Sequence, residues 1–314
     1  MTTTALLRHE TVLAVLTVIA LIVLASFSDK FFTAENLLNQ GRLMAEVGLV
    51  ALAMTFVIVT GGIDLSVGSI LGLTAILLGV FWKNLGLPLP AAIVLAIACG
   101  TLAGWINGFI ITRFGVPPLI ATLATLALYR GLAEGISEAR SVRGYPEWFF
   151  FLGQGEVLGV PFQLWLLGLA IVLSAMILGL TPFGRATYAI GANETAARFS
   201  GIRVEATKLW IYTAAGLCSA VAAVIFVSRV TTTRSDMGTG LELDVITGVV
   251  LGGTSIFGGR GTIIGTVLGL ILIQALKNGL ALSGVKGDGT IVVIGLVLIG
   301  AILAGAIFDR NRGG

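Results

Sequence analysis

The residues able to do chemistry in this 314-residue chain are few, and most are neutral. The run Thr60-Gly61-Gly62-Ile63-Asp64-Leu65-Ser66-Val67-Gly68-Ser69 places a carboxylate beside paired glycines, between the strongly apolar segments 44–59 and 70–82. Such a carboxylate is costly unless protein, water or a partner surrounds it. Asp64 is therefore either a turn residue at a membrane face or part of a polar path. Both readings imply a broken pair of helices, a device that recurs where membrane proteins hold or pass solutes. The other acids near apolar stretches, Glu46 and Asp244, lie close to expected span ends and read as boundary or capping residues rather than proton relays. The remaining polar groups inside apolar sequence are amides and hydroxyls: Asn107, Thr122, Thr125, Thr247, Thr266, Gln274 and Asn278. They suit a neutral, hydroxyl-rich solute held by hydrogen bonds, although the same residue types also join helices to one another.

Several reaction classes find no residues. Gly253-Thr254-Ser255-Ile256-Phe257-Gly258-Gly259-Arg260-Gly261-Thr262 resembles a phosphate loop, but Gly259 and Arg260 stand where Lys and Ser or Thr are needed to reach the phosphates. The only histidine, His9, precedes the first apolar stretch, so neither Ser-His catalysis nor a zinc HExxH site fits inside the membrane. Lys277 has no evident serine partner, and Cys99 and Cys218 read as small hydrophobes in apolar sequence. The expectation is a transport protein that is not an enzyme, with no metal and no cofactor, and with no basic run for nucleic acid.

The elements that must position these groups are membrane helices. Hydrophobic residues make up 56% of the chain and charged residues 11%, with mean hydropathy +1.02. A soluble domain carries about 25% charged residues, so most of this chain faces lipid or other helices. Apolar stretches at 11–27, 44–60, 68–82, 91–112, 117–130, 161–180, 209–228, 244–257, 262–283 and 290–308 predict an all-α polytopic protein of about ten spans, some broken or re-entrant. Period-two alternation is absent, which disfavours a barrel. Residues 11–27 are long for a signal core and lack a cleavage motif, and are read as a retained first helix. The stretch after Pro117-Pro118 is short, and a half-helix is expected there. Lys and Arg are nearly balanced between the two sides, and the termini are placed in the cytoplasm.

Two connections have room for a task. Residues 131–160, with Tyr145, Pro146, Trp148, Phe149, Phe150 and Phe151, fall outside and read as an interfacial aromatic belt or a docking surface. Residues 181–208 fall inside, and Asn193 to Gly201 reads as a short helix capped by Asn193 and closed by Gly201. Gly100, Gly104 and Gly108 line one face of a span, as do Gly265 and Gly269, and are read as sites of close packing within the chain. A weak internal echo links Val57 to Ser69 with Val249 to Gly259: each is an apolar segment ending in a glycine pair (Gly61-Gly62; Gly252-Gly253) followed by a polar turn.

Four segments together carry a resemblance. EVGLVALAMTFVIVTGGIDLSVGSILGL at 46–73, VPPLIATLATLALYRG at 116–131, GRATYAIGANETAARFSGI at 184–202 and VVLGGTSIFGGRGTIIGTVLG at 249–269 resemble, in order, the permeases of ribose-type monosaccharide ABC importers. The resemblance spans about residues 35 to 308. It implies a type II-like permease of about ten spans in the bacterial cytoplasmic membrane. It also implies an ATP-binding partner subunit, a periplasmic or extracellular sugar-binding protein and a second permease copy, identical or related. ATP hydrolysis then belongs to the partner. Arg185, Gly191, Asn193, Glu194, Ala196, Ala197, Arg198 and Gly201 match the family's coupling segment, which transmits motion from the ATPase. Gly61, Gly62, Asp64, Ser66, Asn107, Thr122, Thr125, Gly252, Gly253 and Gln274 are the candidates for the signature turn and the translocation path. The competing readings are a branched-chain amino acid ABC permease, an ion-coupled secondary transporter and, more remotely, an intramembrane enzyme.

Overall fold

The computed structural model describes residues 3–26, 28–285, 287, 289–296 and 299–300. Twelve helices and one minimal hairpin are named among them, and seven helices are long and apolar enough to cross a membrane. The chain is a multi-pass α-helical membrane protein. Helix α1 (Thr3–Ala25) packs on α12 (Ile263–Leu282). Of the tenth apolar stretch, 290–308, residues 290–296 and 299–300 are helical and the others lie outside the described residues.

The long helix α2 (Ala34–Val59) starts where Thr33 Oγ1 accepts from Asn36 N at 3.3 Å. It is buried almost continuously from Ala45 to Val59 and stops at Thr60, beyond which Gly61 adopts φ +78°. That left-handed conformation favours glycine. A non-helical segment leads to α3 (Val67–Gly79), which continues through a π-helical turn at Val80–Asn84. Proline opens both α4 (Leu89–Phe114) and α5 (Pro118–Ser137), where a missing N–H costs nothing. A short helix α6 (Glu147–Gln154) and the hairpin β1 (Glu156–Val157)–β2 (Val160–Pro161) precede α7 (Phe162–Leu180). The segment before α10 (Val204–Val230) holds α8 (Pro182–Ala192) and α9 (Glu194–Phe199), and α11 (Leu241–Leu251) precedes α12.

At the centre, α10 packs on α2, α3 and α4. Its approach to α4 is backbone to backbone: a Cβ on Gly216 would lie 2.6 Å from Gly100 O and 2.8 Å from Gly104 Cα. Similarly, Gly265 and Gly269 of α12 lie against the carbonyls of Gly252 and Gly248 in and after α11. Both glycine rows therefore serve packing inside the chain, as their spacing suggested. By contrast, α7 leaves Leu169, Val172, Leu173 and Met176 exposed, an apolar face that suits lipid.

Three expectations need correction. The segment after Pro117-Pro118 is a 20-residue helix, because the Gly131–Ser137 turns continue it with Leu132 and Ile136 on the exposed face. The stretch 244–257 is not one continuous helix: α11 has 11 residues and ends at the Gly252-Gly253 turn. Glu46 is no boundary residue, because the polar start of α2 (Glu35, Asn36, Gln40) stays helical and puts Glu46 in mid-helix, 4% exposed. The aromatics of 131–160 also divide: Phe149 and Tyr145 are buried, Tyr145 stacking on Trp82 at 4.4 Å, whereas Trp148 and Phe151 are exposed.

Candidate functional site

The turn around Asp64 is a sealed polar knot. Asp64 Oδ1 accepts from Ser66 N at 2.9 Å and from Ser66 Oγ at 2.6 Å, the local turn that a short acid makes with the backbone two residues on. Asn107 Nδ2 of α4 donates to Ser66 Oγ at 2.7 Å, and Tyr129 OH of α5 donates to Ala103 O at 2.9 Å and lies 3.2 Å from Asn107 Oδ1. Thr122 Oγ1 lies 2.9 Å from Pro118 O and 3.2 Å from Ile63 O. Asp64, Ser66, Asn107 and Thr122 are all 0% exposed. The broken segment 60–66 is thus tied to α4 and α5 by hydrogen bonds rather than opened to a channel. Asp64 Oδ2 and Tyr212 OH are buried without a hydrogen-bond partner among the described residues.

At the end of the bundle where α2 stops and α10 starts, the segment Asn193 to Gly201 forms the short capped helix that its sequence suggested. Asn193 Oδ1 accepts from Ala196 N at 2.9 Å, capping α9, and Gly201 closes it at φ +82°. The structure adds α8 immediately before, started by Thr181 as cap and Pro182 in the first turn. Ala197 is buried against Ile190 and Val204, while Ala196 and Phe199 face outward, Phe199 at 89% exposure. Glu194 pairs with Arg198 at 3.3 Å and with Lys208 at 2.5 Å, and Arg198 reaches Glu205 at 2.7 Å. These pairs are largely exposed and set orientation more than stability.

Behind α9, three chain segments meet through glycines. Gly259 N donates to Val59 O at 2.8 Å, and Tyr188 OH of α8 donates to Gly261 O at 2.6 Å. A Cβ on Gly191 would collide with Val59 O and Gly259 N, and one on Gly258 would lie 2.9 Å from Gly61 N and 3.0 Å from Gly191 O. The two glycine-rich turns that echo each other in sequence are therefore in contact, with α8 against both.

The opposite end holds a charge-lined cleft of about 560 Å³ between α2, α10, α11, α12 and the loop 232–241. Arg229 clasps Glu46 with two hydrogen bonds at 2.7 and 3.0 Å, and Lys277 Nζ meets Asp244 Oδ2 at 2.5 Å. Gln274 Nε2 donates to Gln40 Oε1 at 2.6 Å. In the loop, the Arg234 guanidinium holds the Asp236 carboxyl below its ordinary value, so that pair stays ionised at neutral pH. Removing one member of the buried pair leaves the other charge uncompensated, at about 3–5 kcal/mol. Glu46→Gln should accordingly lower the thermal stability of the purified chain markedly, and Glu46→Gln with Arg229→Gln should recover most of the loss.

The candidate residues therefore separate into groups. Asp64, Ser66, Asn107, Thr122 and Thr125 gather at the knot. Gly61, Gly252 and Gly253 belong to the two turns near α8, and Gly62 lies under the Tyr212 hydroxyl. Gln274 lines the cleft, and Arg185 is exposed on α8. Sequence reading did not single out Tyr129, Tyr188, Tyr212 or Arg229. A lone Tyr or Arg in apolar sequence signals a buried partner, but not which one.

The chain belongs to the family described as branched-chain amino acid transport system / permease component, whose model matches residues 33–303. Among curated proteins it is 44% identical over 296 residues to the ribose import permease protein RbsC of Bacillus subtilis, covering 94% of this chain and 90% of that one. It is 38% identical over 298 residues to the RbsC of Escherichia coli K12 (93% and 91%). It is also 36% identical over 300 residues to the autoinducer 2 import system permease protein LsrD of Photorhabdus luminescens (92% and 90%). No solved structure matches the chain.

Proposed function

We propose that this chain is the membrane-spanning permease of an ATP-driven importer and forms the path for a monosaccharide or similar polyhydroxylated solute. The observation that carries the reading is the coupling segment: a capped helix, α9, standing out from the bundle with Ala196 and Phe199 exposed and rooted by Ala197. Identity to ribose import permeases over most of the chain supports the sugar class. The whole chain is one permease domain of about ten spans, with broken segments at 60–66 and 252–262, in the bacterial cytoplasmic membrane with both termini inside. Residues 181–208 face the cytoplasm and an ATPase subunit that hydrolyses ATP. Residues 131–160 face the periplasm or exterior, where a sugar-binding protein delivers the solute. A second permease, identical or related, completes the path. Closure of the ATPase subunits on ATP pushes α9, α8 passes the motion to both glycine turns, and the helices they start or end reorient between two states.

Ala196→Arg and Phe199→Asp test the reading, because both residues are exposed and their replacement leaves the core alone. Each should cut ATP-driven uptake by about tenfold or more, a loss of roughly 1.4 kcal/mol of coupling. Thermal stability should stay unchanged. Normal uptake in both variants would remove α9 from the coupling role. The family description favours one second reading, a branched-chain amino acid as cargo. Competition of leucine against ribose in uptake separates the two.

A further inference from the structure

The α2/α10/α11/α12 cleft lies within one chain and shares no lining residue with the knot, and its chemistry is specific. Its volume, about 560 Å³, falls in the range of small-molecule sites. Each acid at the cleft, Glu46, Asp236 and Asp244, is already matched by a cation: Arg229, Arg234 and Lys277 respectively. The site is thus locally neutral. An anionic solute would meet carboxylates, and an amino acid would have to break pairs to be held. A hydroxyl can share a paired carboxylate or guanidinium without breaking the pair, since each keeps spare lone pairs or N–H groups. Leu43, Phe226 and Met237 supply apolar wall for the C–H face of a sugar ring. Thr232 Oγ1, also lining the cleft, is buried with no hydrogen-bond partner among the described residues.

The loop bordering the cleft is braced toward the rest of the fold. Arg130 of α5 donates to Ser235 O at 2.5 Å and Met237 O at 2.9 Å, and Gly238 lies against the backbone of Gly68 at the start of α3. A solute resting in the cleft would therefore press on the same helix that the Asp64 turn begins.

We infer that this cleft is a transient binding subsite for a neutral polyhydroxylated solute within a single permease chain, with Thr232 and Gln274 among its hydrogen-bonding groups. The inference rests on the sugar-permease reading and adds a place on the permease itself where selection between solutes occurs. Partial pairing of the polar groups suits weak holding, which passage requires.

The test uses the full chain reconstituted with its ATPase and binding protein in liposomes, with ribose as probe and rhamnose as comparison. The readout is sugar moved per ATP hydrolysed. Thr232→Val, which keeps the side-chain shape, and Gln274→Leu should each lower ribose moved per ATP by about tenfold, the worth of one hydrogen bond lost in transit. Both should change the ribose-to-rhamnose ratio, and Thr232→Ser should restore it. If Gln274→Leu fails to co-purify with its partners, Thr232→Val reads the same effect. Wild-type ribose per ATP and an unchanged ratio in the assembled variants would overturn the subsite alone. Transport of leucine but no monosaccharide by the wild type would overturn the underlying reading and the subsite with it.

Discussion

Gly191→Ala is expected to reduce ATP-driven uptake by well over about tenfold while the chain still inserts and purifies. The added methyl has nowhere to go: it lands on the Val59 carbonyl at the end of α2 and the Gly259 amide of the second glycine turn. Both are backbone atoms, one donating to the other at 2.8 Å, so neither moves without disturbing the junction. Overpacking of this kind costs about 1–3 kcal/mol. Here that cost falls on the contact joining α8 to both turns, so transmission suffers more than global stability. Gly168→Ala in α7 is the control, because nothing lies within 4 Å of its added Cβ and alanine favours the helix. Equal uptake by the Gly191 and Gly168 variants would show that α8 does not need its close seat.

The second large effect is at Asp64, where two substitutions should separate. Asp64→Ala removes the acceptor of both Ser66 N and Ser66 Oγ and loosens the chain through Asn107 to Tyr129. Two lost hydrogen bonds and an orphaned buried donor amount to about 3 kcal/mol. That variant should assemble poorly and melt early. Asp64→Asn retains an acceptor oxygen for Ser66 and the shape of the side chain at a fully buried site, so it should assemble and keep most of its uptake. The burial of Asp64, Ser66 and Asn107 at 0% exposure is the reason to expect a lock rather than a pathway ligand. Fully assembled Asp64→Asn protein with no uptake would reverse that assignment.

Local chemistry was legible in the sequence wherever neighbours along the chain supply it. Asn193 and Gly201 bracket a short helix because one caps and the other accepts a left-handed turn, and both do so here. The Gly100, Gly104 and Gly108 spacing marked a close helix contact, although only the structure shows Gly216 of α10 as the facing residue. The broken character of the Asp64 segment was visible from a carboxylate and two glycines in apolar sequence. Partners far along the chain were not visible. Glu46 looked like a span boundary because its ion partner, Arg229, is 183 residues away and the polar first turns of α2 hide its true start. The stretch 244–257 looked like one continuous helix because hydropathy alone does not register the stop at Gly252. Gln274 was grouped with Asn107 as a neutral polar residue, yet Asn107 joins the Asp64 turn and Gln274 lines the cleft.

The central claim is that this chain passes a sugar under the drive of an ATPase that grips α9. The most direct measurement is ribose uptake by liposomes holding the chain with its ATPase and binding protein, with and without ATP and with and without an ion gradient. Uptake should require ATP and all three components, be indifferent to the gradient, and resist competition by leucine. Ribose uptake by the chain alone under an ion gradient, or ATP-driven uptake of leucine in its place, would contradict it.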